Sequence, residues 1–397
     1  MQTTSIVFAF VLLCCGFCDV RSDNDERKLT AELNPGCVEK IGSECDEMTF
    51  VHVKADSAND TIHYLWDFTG SPSLMLAKTD KNASLGIDWV GFMSGTANTV
   101  NFSSTPEYIF TAVISRVLLF NDAGDKGDVN DDSVKEVTEF NPHKFAWIRE
   151  NFTQPQDQHV TVVMNSTVGT NGSFAVKLSA FGSSQHGDDL PHLYHSSHSM
   201  QIDLVAKNFL SNYSSPRVAI EMLIVSSEDK TEGKFSLKKR RNLDDEFTPG
   251  IFDVFDVVSP RSHNSSRGAF FQYRPVCYTT KYRTVSGSTE LRQGDIKNFN
   301  NTEIMIEQFM YTLPYSYYGY TISSRIAQYT NITFGLTGDG FYSRTNYTSF
   351  SMLMGLGTPP VERLSSFVVV FAVIGLGVPL LVLLVGGAYV CIKRYSN

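Results

Sequence analysis

The feature that most constrains this chain is an uninterrupted apolar run near its end, residues 367–392 (FVVVFAVIGLGVPLLVLLVGGAYVCI), which contains no charged side chain. At 1.5 Å per residue, roughly 20 apolar residues cross the hydrocarbon core of a bilayer, so the run is long enough to span with some tilt. A buried soluble helix of that length would normally show a polar stripe. Lys393 and Arg394 follow directly, and positive charge just past a span marks the cytosolic side. The expected layout is therefore a transmembrane helix over 367–392 with a cytosolic tail over 393–397.

A short apolar run near the N-terminus, residues 6–17, is followed by small side chains. It reads as a secretory signal peptide over residues 1–18. Residues 19–366 are then expected in the lumen, in a single-pass type I topology. Asn-x-Ser/Thr acceptors fall at Asn59, Asn82, Asn101, Asn151, Asn165, Asn171, Asn212, Asn264, Asn300, Asn331 and Asn346. Each acceptor in use must sit on exposed backbone, so their spread predicts a heavily sugared ectodomain. Of the seven cysteines, only Cys37, Cys45 and Cys277 lie between the signal peptide and the span. Cys37 and Cys45 close a short loop and are placed to pair, which leaves Cys277 as an odd thiol suited to a buried strand. A net charge of −9 makes nucleic acid an unnatural partner.

The luminal stretch is a series of short β-branched and aromatic runs with period-two alternation, separated by Gly, Pro, Asn and Asp clusters. Ile62, Tyr64, Trp66 and Phe68 share one face of such a run. Further strands are expected at 73–79, 84–90, 108–120, 159–164, 173–181, 200–206, 217–226, 251–258, 269–280, 305–312, 331–336 and 347–356. No long amphipathic helix precedes the span. The fold class is an all-β ectodomain, one or two β-sandwich-like units with a subdivision placed near residues 185–200, plus one C-terminal transmembrane helix.

Chemistry is sparse. There is no nucleophile elbow, zinc-protease helix, phosphate loop or dinucleotide fingerprint. The Asp-rich stretch 121–133 approaches a calcium loop only loosely and reads as a polar loop. His186, His192, His195 and His198 crowd one segment, where a metal or proton-sensing cluster competes with a solvated His-rich loop. The loop is the reading adopted. Lys238-Lys239-Arg240-Arg241 reads as an exposed charged loop, and Asp244-Asp245-Glu246-Phe247, which leads into an apolar strand, as structural. No catalytic residue, cofactor, metal or small-molecule substrate is expected.

Four blocks carry a family resemblance: TIHYLWDF at 61–68, LDDEFTPGIF at 243–252, FQYRPVCYTTK at 271–281 and SFSMLMGLGTPPVERLS at 349–365. In order, spacing and topology the chain resembles the glycosylated lysosomal membrane protein family from about residue 29 to 395. The resemblance implies a non-enzymatic protein of the lysosomal membrane. It also implies a partner, a polytopic major-facilitator transporter exporting small peptides, which the glycosylated subunit stabilises and shields from luminal proteases. The tail ends Tyr395-Ser396-Asn397 without the apolar residue of a tyrosine sorting signal, so delivery by a partner is expected. Contact candidates are the membrane-proximal Gly355, Gly357, Pro359 and Pro360, and a small-residue face of the span made by Ala372, Gly375, Pro379 and Gly386. The other reading is a cell-surface adhesion or receptor-like sandwich.

Overall fold

A computed structural model describes residues 26–156, 158–169, 172–209, 211–244, 246–260, 268–299, 307–335, 337–339, 341–362 and 365–396. The signal-peptide reading and Asn171, Asn264 and Asn300 lie outside the described residues. The chain first lays down β1 (Lys28–Leu33), β2 (Phe50–Asp56), β3 (Asp60–Asp67) and β4 (Ser73–Asp80). A small hairpin, β5 (Leu85–Ile87) and β6 (Val100–Phe102), precedes the long β7 (Tyr108–Asn121) and then β8 (Val137–Phe140). A second sheet begins with β9 (Ile148–Gln156), β10 (His159–Val168) and β11 (Gly172–Phe181). A two-strand ribbon, β12 (Gln185–His186) and β13 (Tyr194–His195), leads to β14 (Ser199–Lys207). The chain returns to the first sheet with β15 (Pro216–Asp229) and goes back to the second with β16 (Ser236–Asp244), β17 (Gly250–Val258), β18 (Ala269–Tyr273) and β19 (Val276–Tyr278). The last strands are β20 (Ser288–Gln293), β21 (Lys297–Asn298), β22 (Arg325–Phe334) and β23 (Tyr347–Leu356).

All ladders are antiparallel. The first sheet runs β1-β2-β3-β4-β7-β15-β22. The second runs β9-β10-β11-β14-β23-β18-β17-β16. β20 pairs with both β19 and β22 and so joins them. At another boundary the Arg27 N–H donates to Gly182 O at 2.7 Å, so the sheets nearly close on each other. Both sheets draw strands from either side of residues 185–200, a stretch that connects β11 to its own neighbour β14.

The alternating residues dictate where the core lies. Ile62, Tyr64 and Trp66 of β3 point between the sheets, where they join Phe110, Phe174, Phe271, Tyr273 and Phe350. Trp66 places its indole N–H 3.3 Å from the Met200 Sδ of the second sheet, and the Tyr64 hydroxyl donates to Ser197 O at 3.3 Å. The opposite face of the first sheet is also covered. Phe50, Leu65, Met75, Val113 and Leu223 pack there against Trp89, Phe92, Leu313, Tyr315, Tyr318 and Ile322. That outer layer consists of short helical turns, and the bonded pair Cys37–Cys45 (S–S 2.02 Å) belongs to it. Cys277 is a buried free thiol in β19, which burial pushes up to about 12.

The outer layer is where expectation and structure part. Only Leu85–Ile87 of residues 84–90 is strand, because Asp88 accepts the Gly91 N–H at 3.2 Å and caps a helical turn at Trp89–Met93. Residues 307–310 of the expected strand 305–312 are helical, and a second turn, Leu313–Tyr318, follows with Pro314 in its first positions. The segment is apolar and aromatic enough for a strand, yet it lies across a sheet face rather than at a sheet edge. The basic run Lys238–Arg241, expected as a loop, lies within β16, paired with β17 from Ser236↔Val258 to Asp244↔Gly250. β16 ends the sheet order as an exposed strand, and charge is how such edges are kept from pairing further.

Gly355 of β23 is buried between neighbours, and a Cβ there would stand 2.4 Å from Phe270 Cζ and 2.9 Å from Ser199 Cβ. Gly355→Ala is therefore expected to destabilise the ectodomain by about 1–3 kcal/mol through overpacking. Denaturant unfolding of the purified protein measures this.

Candidate functional site

The residues that stand out functionally surround the stalk joining the ectodomain to its C-terminal helix. β23 ends at Leu356, Gly357 takes a left-handed φ of 82°, and the chain turns onto the outer face of the second sheet. Alternation puts Arg240 and Asp244 of β16, Phe252 and Asp256 of β17, and Gln272 of β18 on that face, with Arg274 just after β18. Pro360 O accepts from Arg240 Nη2 at 3.1 Å and from Gln272 Nε2 at 2.9 Å. Both donors are braced by Asp256, at 2.6 Å from Arg240 Nε and 2.9 Å from Gln272 Nε2. Arg274 Nη2 bridges Glu362 Oε1 at 2.9 Å and Asp244 Oδ2 at 3.3 Å, and its guanidinium lies 3.5 Å from the centre of the Phe252 ring. All three charged side chains are less than a tenth exposed. Ser365 then accepts the Val368 N–H at 3.3 Å and caps the helix Ser366–Tyr395.

Two carboxylates share one guanidinium here. Burial pushes the Glu362 carboxyl up, with Arg274 pulling the other way. Burial also pushes on Asp244, but the backbone N–H groups of Glu246, Phe247 and Thr248, together with Arg274, outweigh it and hold that carboxyl low. Asp244 therefore has the structural role its sequence context implied, closing the β16–β17 turn while it anchors Arg274.

Among the glycosylation candidates, Asn59, Asn82, Asn101, Asn151 and Asn212 are exposed, and Asn165 and Asn346 are half-buried. Asn331 is 7 % exposed, on β22 against Gly294, so the folded chain leaves no room for a sugar there; this corrects the expectation for that position. Of the four membrane-proximal contact candidates, Gly355 is buried within the sheet and is corrected to a packing residue. Gly357, Pro359 and Pro360 are half-buried on the stalk. Ala372, Gly375, Pro379 and Gly386 all lie on the C-terminal helix, and nothing approaches a Cβ built at Gly375 or Gly386 within 4 Å.

The four histidines do not converge. His195 is buried and stacked on Phe181 at 3.4 Å, His198 lies 3.1 Å from Arg27, His186 stacks on Phe247 at 3.8 Å, and His192 Nδ1 meets Gly187 O at 2.8 Å. The solvated-loop reading thus fails for His195, which packs as an aromatic ring. In the Asp-rich loop, Asp122 and Asp125 pair with the buried Arg217, as does Asp339 at 2.9 Å. No group of metal-binding side chains occurs among the described residues. Sequence reasoning missed the stalk clamp, since Arg240, Gln272, Arg274 and Glu362 are brought together only by strand register. The one available signal was the alternation of polar residues in β16–β18.

Several buried groups respond to acid. Burial lowers His52 to about 3 and His63 to about 4, in a stacked pair whose His52 Nε2 and His63 Nδ1 are 2.9 Å apart. Their contribution is complete above the ordinary histidine value and is lost as pH falls toward their folded values. Asp67 has the opposite sign. Burial raises its carboxyl to about 6 despite donors from Thr69 and Ser73, so the folded state takes up its proton first and gains stability as pH falls through 6.

A β-sandwich ectodomain bearing exposed Asn-x-Ser/Thr sites, followed by one helix apolar enough to cross a bilayer among the described residues, defines a membrane-anchored glycoprotein. The family model described as glycosylated lysosomal membrane protein matches residues 49–397, and the chain belongs to that family. It is 28 % identical to the glycosylated lysosomal membrane protein of Danio rerio over 390 residues, covering 95 % of this chain and 92 % of the relative. Identity to glycosylated lysosomal membrane protein B of Xenopus laevis is 25 %, covering 97 % and 95 %. Identity to the Homo sapiens relative is 26 %, covering 87 % and 85 %. The chain is a lysosomal membrane glycoprotein with a single C-terminal anchor.

Arg274→Met strands Asp244 and Glu362 without their cation and is expected to cost about 3 kcal/mol at pH 7. The loss should be smaller at pH 5, where Glu362 is the first of the two to protonate. Denaturant unfolding at the two pH values checks both statements. Asp67→Asn removes the gain on acidification, so wild type should improve relative to this variant by about 1 kcal/mol between pH 7 and pH 5. Paired unfolding curves read that difference directly.

Proposed function

We propose that this protein acts without catalysis, as the accessory subunit of a polytopic major-facilitator transporter in the lysosomal membrane. Its role would be to stabilise the transporter and shield its luminal face from proteases. The observation that carries the reading is the stalk clamp: ion pairs and hydrogen bonds to Pro360 and Glu362 hold a broad ectodomain against the root of its own anchor. A domain held there covers a neighbouring membrane protein more effectively than one on a free tether, because the volume it searches is smaller. Exposed acceptors at Asn59, Asn82, Asn101, Asn151 and Asn212 would add steric bulk against proteases. The family resemblance supplies the class of partner and its small-peptide cargo.

Contact within the bilayer is assigned to the face of Ala372, Gly375, Pro379 and Gly386, where small side chains let another helix approach closely. A mild-detergent pull-down of the full-length chain, read by mass spectrometry, is expected to recover one polytopic transporter in stoichiometric amount. Gly375→Leu with Gly386→Leu should reduce that recovery while leaving ectodomain folding unchanged. Recovery of no transporter would contradict the accessory role, and unchanged recovery by the double variant would remove the helix face from it.

A further inference from the structure

The second sheet ends in a ribbon whose exposed apolar residues nothing in the fold accounts for. β17 pairs with β18 only from Phe255↔Tyr273 to Val258↔Phe270. Residues 240–244 and 250–254 therefore project as two strands, with no third strand beside them among the described residues. Such a ribbon is marginal in water by itself. Its outer side is occupied by the stalk, through Arg274 against Phe252 and Asp244. Alternation turns Leu243 and Ile251 to the other side, where they face each other directly in the ladder and are 45 % and 73 % exposed. Val361 of the stalk is 52 % exposed, and Phe247, in the turn, is 42 % exposed and braced on His186. Scattered single hydrophobic residues on a surface need no explanation, but an exposed cross-strand aliphatic pair at a projecting tip does.

The position of this tip names its occupant. Asp244, the neighbour of Leu243, is joined to Glu362 through the single guanidinium of Arg274. Ser365, which caps the helix, lies three residues beyond Glu362. Three residues reach at most about 11 Å even when extended. The ribbon tip is therefore held within a short span of the point where the chain enters the membrane, whatever else is present.

We propose that the β16–β17 tip is a membrane-resting foot, with Leu243 and Ile251 seated in the headgroup region of the luminal leaflet beside the protein's own anchor. The foot and the transmembrane helix make two points of contact with one bilayer and so fix the tilt of the ectodomain. This inference needs no partner protein and stands independently of the accessory-subunit reading.

The test uses the full-length chain in phosphatidylcholine nanodiscs containing no other protein. A spin label is placed by Ile251→Cys on a Cys391→Ser background, Cys277 being buried. The control is Tyr320→Cys, a residue 60 % exposed in the layer covering the first sheet, on the other side of the sandwich from the stalk. Label accessibility to dissolved oxygen and to a water-soluble nickel chelate is then compared. The proposal expects the chelate to reach position 251 several-fold less than position 320, with oxygen favoured at 251. Adding Leu243→Glu should bring 251 back to the value at 320. Unchanged unfolding midpoints show that these exposed substitutions leave the fold intact. Equal chelate access at 251 and 320 overturns the proposal, even if adding another protein, or a second copy of the chain at high density, later shields the ribbon.

Discussion

A guanidinium held away from water between two carboxylates ties the two halves of this molecule together. Arg274 meets Asp244 and Glu362 with all three nearly inaccessible, so each charge depends on the others for its solvation. Asp244 belongs to a turn at the far end of a strand pair and Glu362 to the stalk, so one side chain fixes the route by which the chain leaves the sheet. Arg240 and Gln272, both turned onto Pro360 O, make the same connection a second time. The path of the stalk as far as Glu362 is thus specified by the register of β16, β17 and β18.

That register in turn depends on the closure of the two sheets. The C-terminal anchor followed from its unbroken apolar run, and the fold class and most strands from alternation, because a face buried against another sheet must be apolar at every second residue. β10, β11, β14, β15, β17 and β23 fall where the pattern put them. The outer layer was not legible in the same way. Residues 307–318 are as apolar and aromatic as a strand, and only the existence of a second buried face on the first sheet, formed by Phe50, Leu65 and Met75, makes helical turns their better placement. The basic run of β16 failed for the converse reason, since an edge strand can carry charge at positions where a central one cannot. The stalk clamp left only the polar alternation of β16–β18 as a signal, because its members lie far apart in sequence and none is an unusual residue in its own context.

The interior responds to acid with competing signs. His52 and His63 are kept neutral by burial and cost stability in acid, whereas burial raises the Asp67 and Glu362 carboxyls, which gain from protonation. A protein of the lysosomal membrane moves from near-neutral to acidic surroundings between synthesis and residence. The buried aspartate and the stalk glutamate favour the folded ectodomain at its destination, partly offsetting what the histidines lose there.

The central claim is that the ectodomain is held on its anchor in one orientation rather than swinging on a tether. The most direct measurement is the distance distribution between two spin labels on the full-length chain in nanodiscs, one at Tyr320→Cys in the outer layer and one on the native Cys391 of the helix. A clamped stalk predicts a single narrow distribution, which broadens when Arg240 and Arg274 are both replaced by Met. A broad distribution in the wild-type chain, indistinguishable from that of the double variant, would contradict the account.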